Sequence, residues 1–287
     1  MFSVQTSGIH RSAYNPAFGE GFEDAFRNVD VPSPTSIIDL GLEIGEKFPY
    51  ENGIYQVVRV RGGGQKGDWV KLFFGGATRL GTVAAGIAAT KAEIQSSFNL
   101  VAGDLVNPSK GIPSWAFITS GTGIGQRRRI LANWDSADVA KPNIIRVADI
   151  HPSDVTYSAI TSGDAFATLP VTGDGLSLIL PWEVTKTAAA YDLPQGVLMG
   201  DVTDGQYGVI CVAGPALAKC VGSTDALVAQ QPIVISSTGG VAKGRVAAPG
   251  SATIAMQEAG AQVGYAFDAY SGAAGLRHVW VSGNFAM

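Results

Sequence analysis

From Gly196 to Met287 the chain is a succession of short β-branched runs, each bounded by glycine, proline, aspartate or serine. Residues 207–212, 232–236, 264–267 and 278–282 are rich in valine, isoleucine and aromatics, the composition that suits a pleated, half-buried surface. They read as strands of a small barrel or sandwich. Between them Asp204-Gly205, Gly239-Gly240 and Ser271-Gly272 supply residues that tolerate positive φ, which tight hairpin loops require. No cluster of chemically reactive side chains interrupts this pattern. A chain built this way presents a surface.

The same rhythm fills the middle of the sequence. Strand-like runs occur at 54–60, 69–74, 115–119, 129–131, 143–147 and 176–180, with a Gly62-Gly63-Gly64 turn after the first. Between Val83 and Phe98, the residues Val83, Ile87, Ile94 and Phe98 roughly share a helical face. Gly81, Gly86 and the Thr and Ser content oppose a helix, and strands are favoured there. The fold class expected is all-β: two small β-barrel or sandwich domains, 51–185 and 186–287, behind an extended N-terminal arm, 1–50. The boundary is expected between Pro181 and Pro194, where the segment Thr185 to Tyr191 breaks the strand rhythm. In the arm, Phe18, Phe22 and Phe26 are four apart and would line one side of a short helix through Gly21 to Arg27. Such a helix either packs on its own domain or docks on a neighbouring subunit. Pro32 and Pro34 exclude a regular ladder just beyond it.

Charged residues make up only 15% of the 287, against roughly 25% in ordinary soluble domains, while glycine at 37 is nearly twice its usual share. A surface so poor in charge suits a chain that hides part of its exterior in an assembly, or a low-charge extracellular domain. The net charge of −4 gives no general attraction to nucleic acid or to an anionic membrane, so neither partner is expected. No stretch reaches the ~18 consecutive apolar residues of a membrane-crossing helix. The first residues lack the basic and apolar regions of a secretion signal, so the chain is expected to stay in the cytoplasm or to leave it inside a larger particle. Cys211 and Cys220 sit in apolar surroundings without Cys-x-x-Cys spacing and read as buried free thiols, although a hairpin could join them.

Gly121-Thr-Gly-Ile-Gly-Gln-Arg-Arg-Arg-Ile130 is the segment most suggestive of phosphate binding, because glycines followed by positive charge can cradle an anion. Its spacing is not that of a P-loop, and it lies between two strand-like runs with no helix to follow. A tight turn feeding a strand is the reading. On that strand Arg127 and Arg129 share one face and Arg128 takes the other. All three are candidate subunit or capsid contacts, through carboxylates within or between subunits, as are Phe18, Phe22 and Phe26. His10, His151 and His278 are isolated, and no nucleophile elbow or zinc-protease run is present. No catalytic, cofactor or metal residue is assigned, and an enzyme is not expected. Of the tryptophans Trp69, Trp115, Trp134, Trp182 and Trp280, each is a potential stacking platform when exposed, but Trp280 lies in an apolar strand and is expected in the core.

Two segments resemble recurring patterns of tailed-bacteriophage virion proteins. Residues 115–133 are similar to the strand, glycine-rich turn and strand of phage head and tail proteins. The order of a Gly-Gln-Tyr-Gly strand from Gly205, an Ala213-Gly214-Pro215 turn, a strand at 232–236, a Val263-Gly264-Tyr265-Ala266 strand and a final 279–282 strand resembles small β-barrel capsid decoration, or cement, proteins. The resemblance implies a homo-oligomer, with a trimer favoured, made in the host cytoplasm and placed on the outer surface of the virion. There it would bridge neighbouring subunits of the major capsid protein. Two other readings stand beside it: a receptor- or carbohydrate-binding tail module, and the major capsid protein itself, which the absence of a long helical segment disfavours.

Overall fold

The computed structural model describes residues 43–50, 52–75, 79–85, 93–109, 112–150, 166, 168–189, 192–220, 227–236, 242–244, 262–270 and 275–282. Every regular element among them is a strand, in keeping with the all-β expectation. The helix considered over Gly21 to Arg27, the phenylalanines Phe18, Phe22 and Phe26, and the turns at Gly239 and Ser271 lie outside the described residues. The strands are β1 (Lys47–Tyr50), β2 (Gly53–Arg61), β3 (Trp69–Leu72), β4 (Leu80–Thr82), β5 (Glu93–Gln95), β6 (Trp115–Ser120), β7 (Arg127–Asn133), β8 (Ile144–Ile150) and β9 (Gly175–Ile179). After them come β10 (Glu183–Lys186), β11 (Pro194–Leu198), β12 (Tyr207–Cys220), β13 (Pro232–Ile235), β14 (Ala242–Gly244), β15 (Gly264–Ala266) and β16 (Gly275–Ser282).

These strands form two compact units, one from Met1–Leu72 together with Trp182–Met287, the other from Phe73–Pro181. The division therefore differs from a linear split at 185/186. Early strands β2 and β3 belong with the late ones because β2 pairs with β10 and β12, and β3 pairs with β10 and β11. The second unit is an insertion between β3 and β10, and Pro181 marks the chain's return. Residues 47–50, expected in the arm, are instead ladder: β1 runs antiparallel to β2, with Phe48 opposite Tyr55.

In the first unit the pairings β2–β10, β10–β3, β3–β11, β11–β12 and β12–β2 close on themselves, giving a five-stranded barrel without a free edge. By register Val58, Val60, Val70, Val184 and Ile210 share one face of these strands and Trp69 and Val197 the other, and all of them, with Trp182, are fully or almost fully buried. Each such side chain contributes roughly 1.5–3 kcal/mol of burial. The long strand β12 serves both the barrel and a second sheet. Tyr207 to Val212 are buried on both faces, as a barrel strand capped on its outside must be, and from Ala213 onward buried and half-buried residues alternate. That second half pairs with β16, and the sheet continues through β15 and β13 to β14, which returns to β12 through the Cys220–Ala242 pair.

The expected turn at Ala213-Gly214-Pro215 does not form. The ladder slips between Cys211 and Ala213, Gly214 takes φ +108°, and Pro215 continues the strand opposite Trp280. A bulge that bends a strand and a turn that ends one draw on the same residues, and only the partners on either side separate the two.

In the second unit the strand order is β4-β9-β6-β7-β8-β5. The sheet curls until its ends meet: Val83 bridges Ser96, the Ala84 N–H donates to the Gln95 carbonyl at 2.8 Å, and Ser97 N–H to Thr82 carbonyl at 2.9 Å. The strand reading of 93–95 thus holds, while 86–92 lie outside the described residues. Ile94, Ile118, Ile130, Ile145, Val147, Leu176 and Leu178 share its buried face.

Candidate functional site

The glycine-rich segment is a turn between β6 and β7. Gly121, Gly123 and Gly125 all have φ between 83° and 88°, and the Thr122 N–H donates to Asp174 Oδ1 at 3.0 Å. A carboxylate thus occupies the place where a phosphate would need to sit. The arginines that follow alternate as a strand demands. Arg127 is half-buried, its guanidinium 4.8 Å from the Trp115 ring centre; Arg128 is wholly buried, 5.2 Å from the Phe166 ring and within 3.1 Å of Gln126 Oε1; Arg129 is exposed. Of the three sequence candidates only Arg129 therefore offers its charge to a partner. It lines a hollow of about 240 Å³ with Val106, Pro113, Ile130 and Leu131, and Leu131 is itself exposed.

Other ionic groups are turned inward. Glu183, at the start of β10, is fully buried and accepts hydrogen bonds from Arg59 Nε at 3.0 Å and Nη2 at 2.7 Å and from Arg61 Nε. Arg59 also lies over Trp182, 4.5 Å from its ring centre. Asp68 is buried beside Lys219 Nζ at 2.8 Å, and in the second unit Arg79, 2% exposed, meets Asp104 at 2.9 Å. Glu93 holds Lys141 at 2.7 Å and Arg146 at 2.6 Å, and the Lys141 hydrogen bond foremost keeps its carboxyl below the ordinary range. Both cations also flank the Trp134 ring, so that tryptophan is already covered.

One tryptophan departs from expectation. Trp69 and Trp182 are core, whereas Trp280, expected there, is 43% exposed. The cause is the alternation of β16: Arg277, Val279 and Val281 point inward, Arg277 onto the Tyr270 ring, while Leu276, His278 and Trp280 point outward. Register then builds a face across four strands, with Pro215, Trp280, Tyr265 and Pro232 aligned in one row. Tyr265 and Phe267 are exposed like Trp280, and the Phe267 ring meets Trp280 edge-on, 6.4 Å between centres at 86°. His278 Nδ1 lies 3.9 Å from Asp268 at the rim, both side chains mostly in solvent. The period-two spacing of Tyr265 with Phe267 and of His278 with Trp280 was the signal for this face; the apolar Val279 and Val281 between them mask it.

Among the described residues no group of three or more His, Cys, Asp or Glu is placed to hold a metal. His10 and His151 lie outside those residues. Cys211 and Cys220 are free and buried, as expected. Burial pushes the Cys220 thiol up to about 12, so it stays protonated, and unreactive, at any pH well below that value. Native protein at pH 8 is expected to leave Cys220 unmodified by a thiol-disulfide reagent for hours, with both thiols titrating at once in denaturant. A fast native reaction traced to Cys220 by mass spectrometry would show that β12 opens at its end. The chain matches no family model, no curated protein and no solved structure.

Proposed function

We propose that the chain is a structural virion protein that decorates and cements the outer surface of a phage icosahedral capsid, as a homo-oligomer bridging major capsid subunits. What supports the reading is where the side chains are spent. Glu183, Asp68, Arg79 and Arg128 are buried, while the large apolar residues Ile124, Leu131, Val101 and Val139 are exposed. Large apolar side chains on the outside of a chain poor in charge suit burial against other subunits. Closed and curled sheets hold such surfaces rigid, and repetition around a shell turns modest contacts into avidity. The hollow beside Arg129 and Leu131 is the contact assigned to the shell.

The test is to mix the purified protein with empty, expanded heads lacking it and image them by cryo-electron microscopy. Ordered density on the outer shell is expected, and Leu131→Asp is expected to reduce its occupancy with the fold intact. Removing residues 1–30, which precede β1, is expected to weaken attachment without unfolding either unit. Bare shells with the intact protein would overturn the proposal.

A further inference from the structure

We propose that the outer face of β16 and β15 is a binding platform for a neutral oligosaccharide. The argument starts from exposure. Three aromatic residues, Trp280 on β16, Tyr265 on β15 and Phe267 just past it, are each between 43% and 45% exposed, so each stands partly in water. Tyr265 stands directly opposite Trp280 in the ladder, which puts their Cβ atoms about 5 Å apart. Phe267 meets the indole edge-on, with 6.4 Å between ring centres. Because the rings rise from strands in a fixed register, their spacing is set before any ligand arrives, and little ordering entropy remains to be lost on binding.

The chemistry of the face selects the ligand. Aliphatic C–H groups on one side of a sugar ring stack on aromatic faces, while its hydroxyls need hydrogen-bonding groups at the edge. Here Pro215 extends the apolar row on one side of Trp280, and His278 and Asp268, 3.9 Å apart with both side chains mostly in solvent, stand at the rim where sugar hydroxyls would meet them. Among the described residues no lysine or arginine stands in that row; Lys219, opposite Leu276, and Lys243, opposite Val234, share its face farther along, and Lys219 is held by Asp68 at 2.8 Å. The one arginine of β16, Arg277, turns to the inner side and lies 3.2 Å from the Tyr270 ring centre. Among the described residues a phosphate or sulfate would find no cation in that row, and a nucleic acid would find none beside the rings to neutralise its backbone. A neutral glycan matches both the rings and the rim. The platform lies in the first unit and the shell contact proposed above in the second, so either assignment can fail without the other.

Intact protein is titrated with neutral hexasaccharides of glucose in α-1,4 and in β-1,4 linkage, of N-acetylglucosamine and of mannose, followed by calorimetry and tryptophan fluorescence. At least one is expected to bind and to perturb the emission, because the other tryptophans are buried or lie against cationic side chains. Trp280→Ala and Tyr265→Ala are each expected to weaken that binding about tenfold or more, with circular dichroism unchanged, while Val139→Ser leaves it intact. No binding by any of the four sugars up to ~10 mM would overturn the proposal. So would self-association of the intact protein that Trp280→Ala abolishes, since the face would then be an interface between copies of this chain.

Discussion

Gly214→Ala is expected to melt some 6–12 °C below the unsubstituted protein, the shift that a loss of about 3 kcal/mol gives in a unit of this size. Two costs combine. At φ +108° a side chain is strained whatever the space around it, which costs on the order of 1–3 kcal/mol. There is also no space: a Cβ at this position would lie 2.7 Å from the Asn52 carbonyl oxygen and 2.7 Å from the Gly53 Cα, both backbone atoms that no rotamer change can move. The site is the slip in β12 between its barrel half and its sheet half, so relaxation there disturbs the pairing with β2 and β16 together. Thermal unfolding followed by circular dichroism measures the shift. A melting point within about 2 °C of the parent, less than 1 kcal/mol, would mean that the strand does not bend where the register says it does.

That bend also marks the limit of what the sequence reveals. Strand type was legible because it depends on local composition, and β-branched residues bounded by glycine or proline state it residue by residue. The partners of each strand were not. Ile54 to Val60 carry nothing that says they will lie against Tyr207 to Ala213, some 150 residues later, yet this pairing decides that β2 belongs to the late unit. Long-range pairing is settled by which apolar faces share a core, a property of the folded chain and not of a window. The Ala213-Gly214-Pro215 segment shows the same limit at short range, since glycine and proline fit a turn and a bulge alike.

Sites followed the same division. The alternation of Arg127, Arg128 and Arg129 was readable because a strand's period is fixed, but which face was interior was not, and Arg128 became core. The valine neighbours of Trp280 point it to the core. In fact Val279 and Val281 are the buried residues, and the tryptophan alternates away from them onto a face that only the register with β15 and β12 assembles. The ionic cores of the two units were equally hidden, because Glu183 is 124 residues from Arg59 along the chain.

That buried cluster makes Glu183→Ala the other severe substitution. Glu183 is fully buried, and its carboxylate is the shared acceptor for Arg59, 7% exposed at its side chain, and Arg61, 25% exposed. Removing it leaves the Arg59 guanidinium enclosed without its countercharge, which typically costs about 3–5 kcal/mol, or roughly 6–20 °C in melting temperature for a unit of this size. Arg61 can turn its head to water along its aliphatic stem, so Arg59 bears most of the loss. Trp182 cannot substitute for the carboxylate, because its ring already lies against that guanidinium and cation–π attraction is weaker than a paired charge. Glu183→Gln, which keeps the shape and one acceptor, is expected to lose less. The double variant Arg59→Met with Glu183→Leu should recover most of the stability lost in Glu183→Ala, since a buried ion pair replaced by apolar groups of similar volume is often neutral. If the double variant were as unstable as the alanine variant, the cluster's value would lie in the shape of its hydrogen bonds and not in balancing charge.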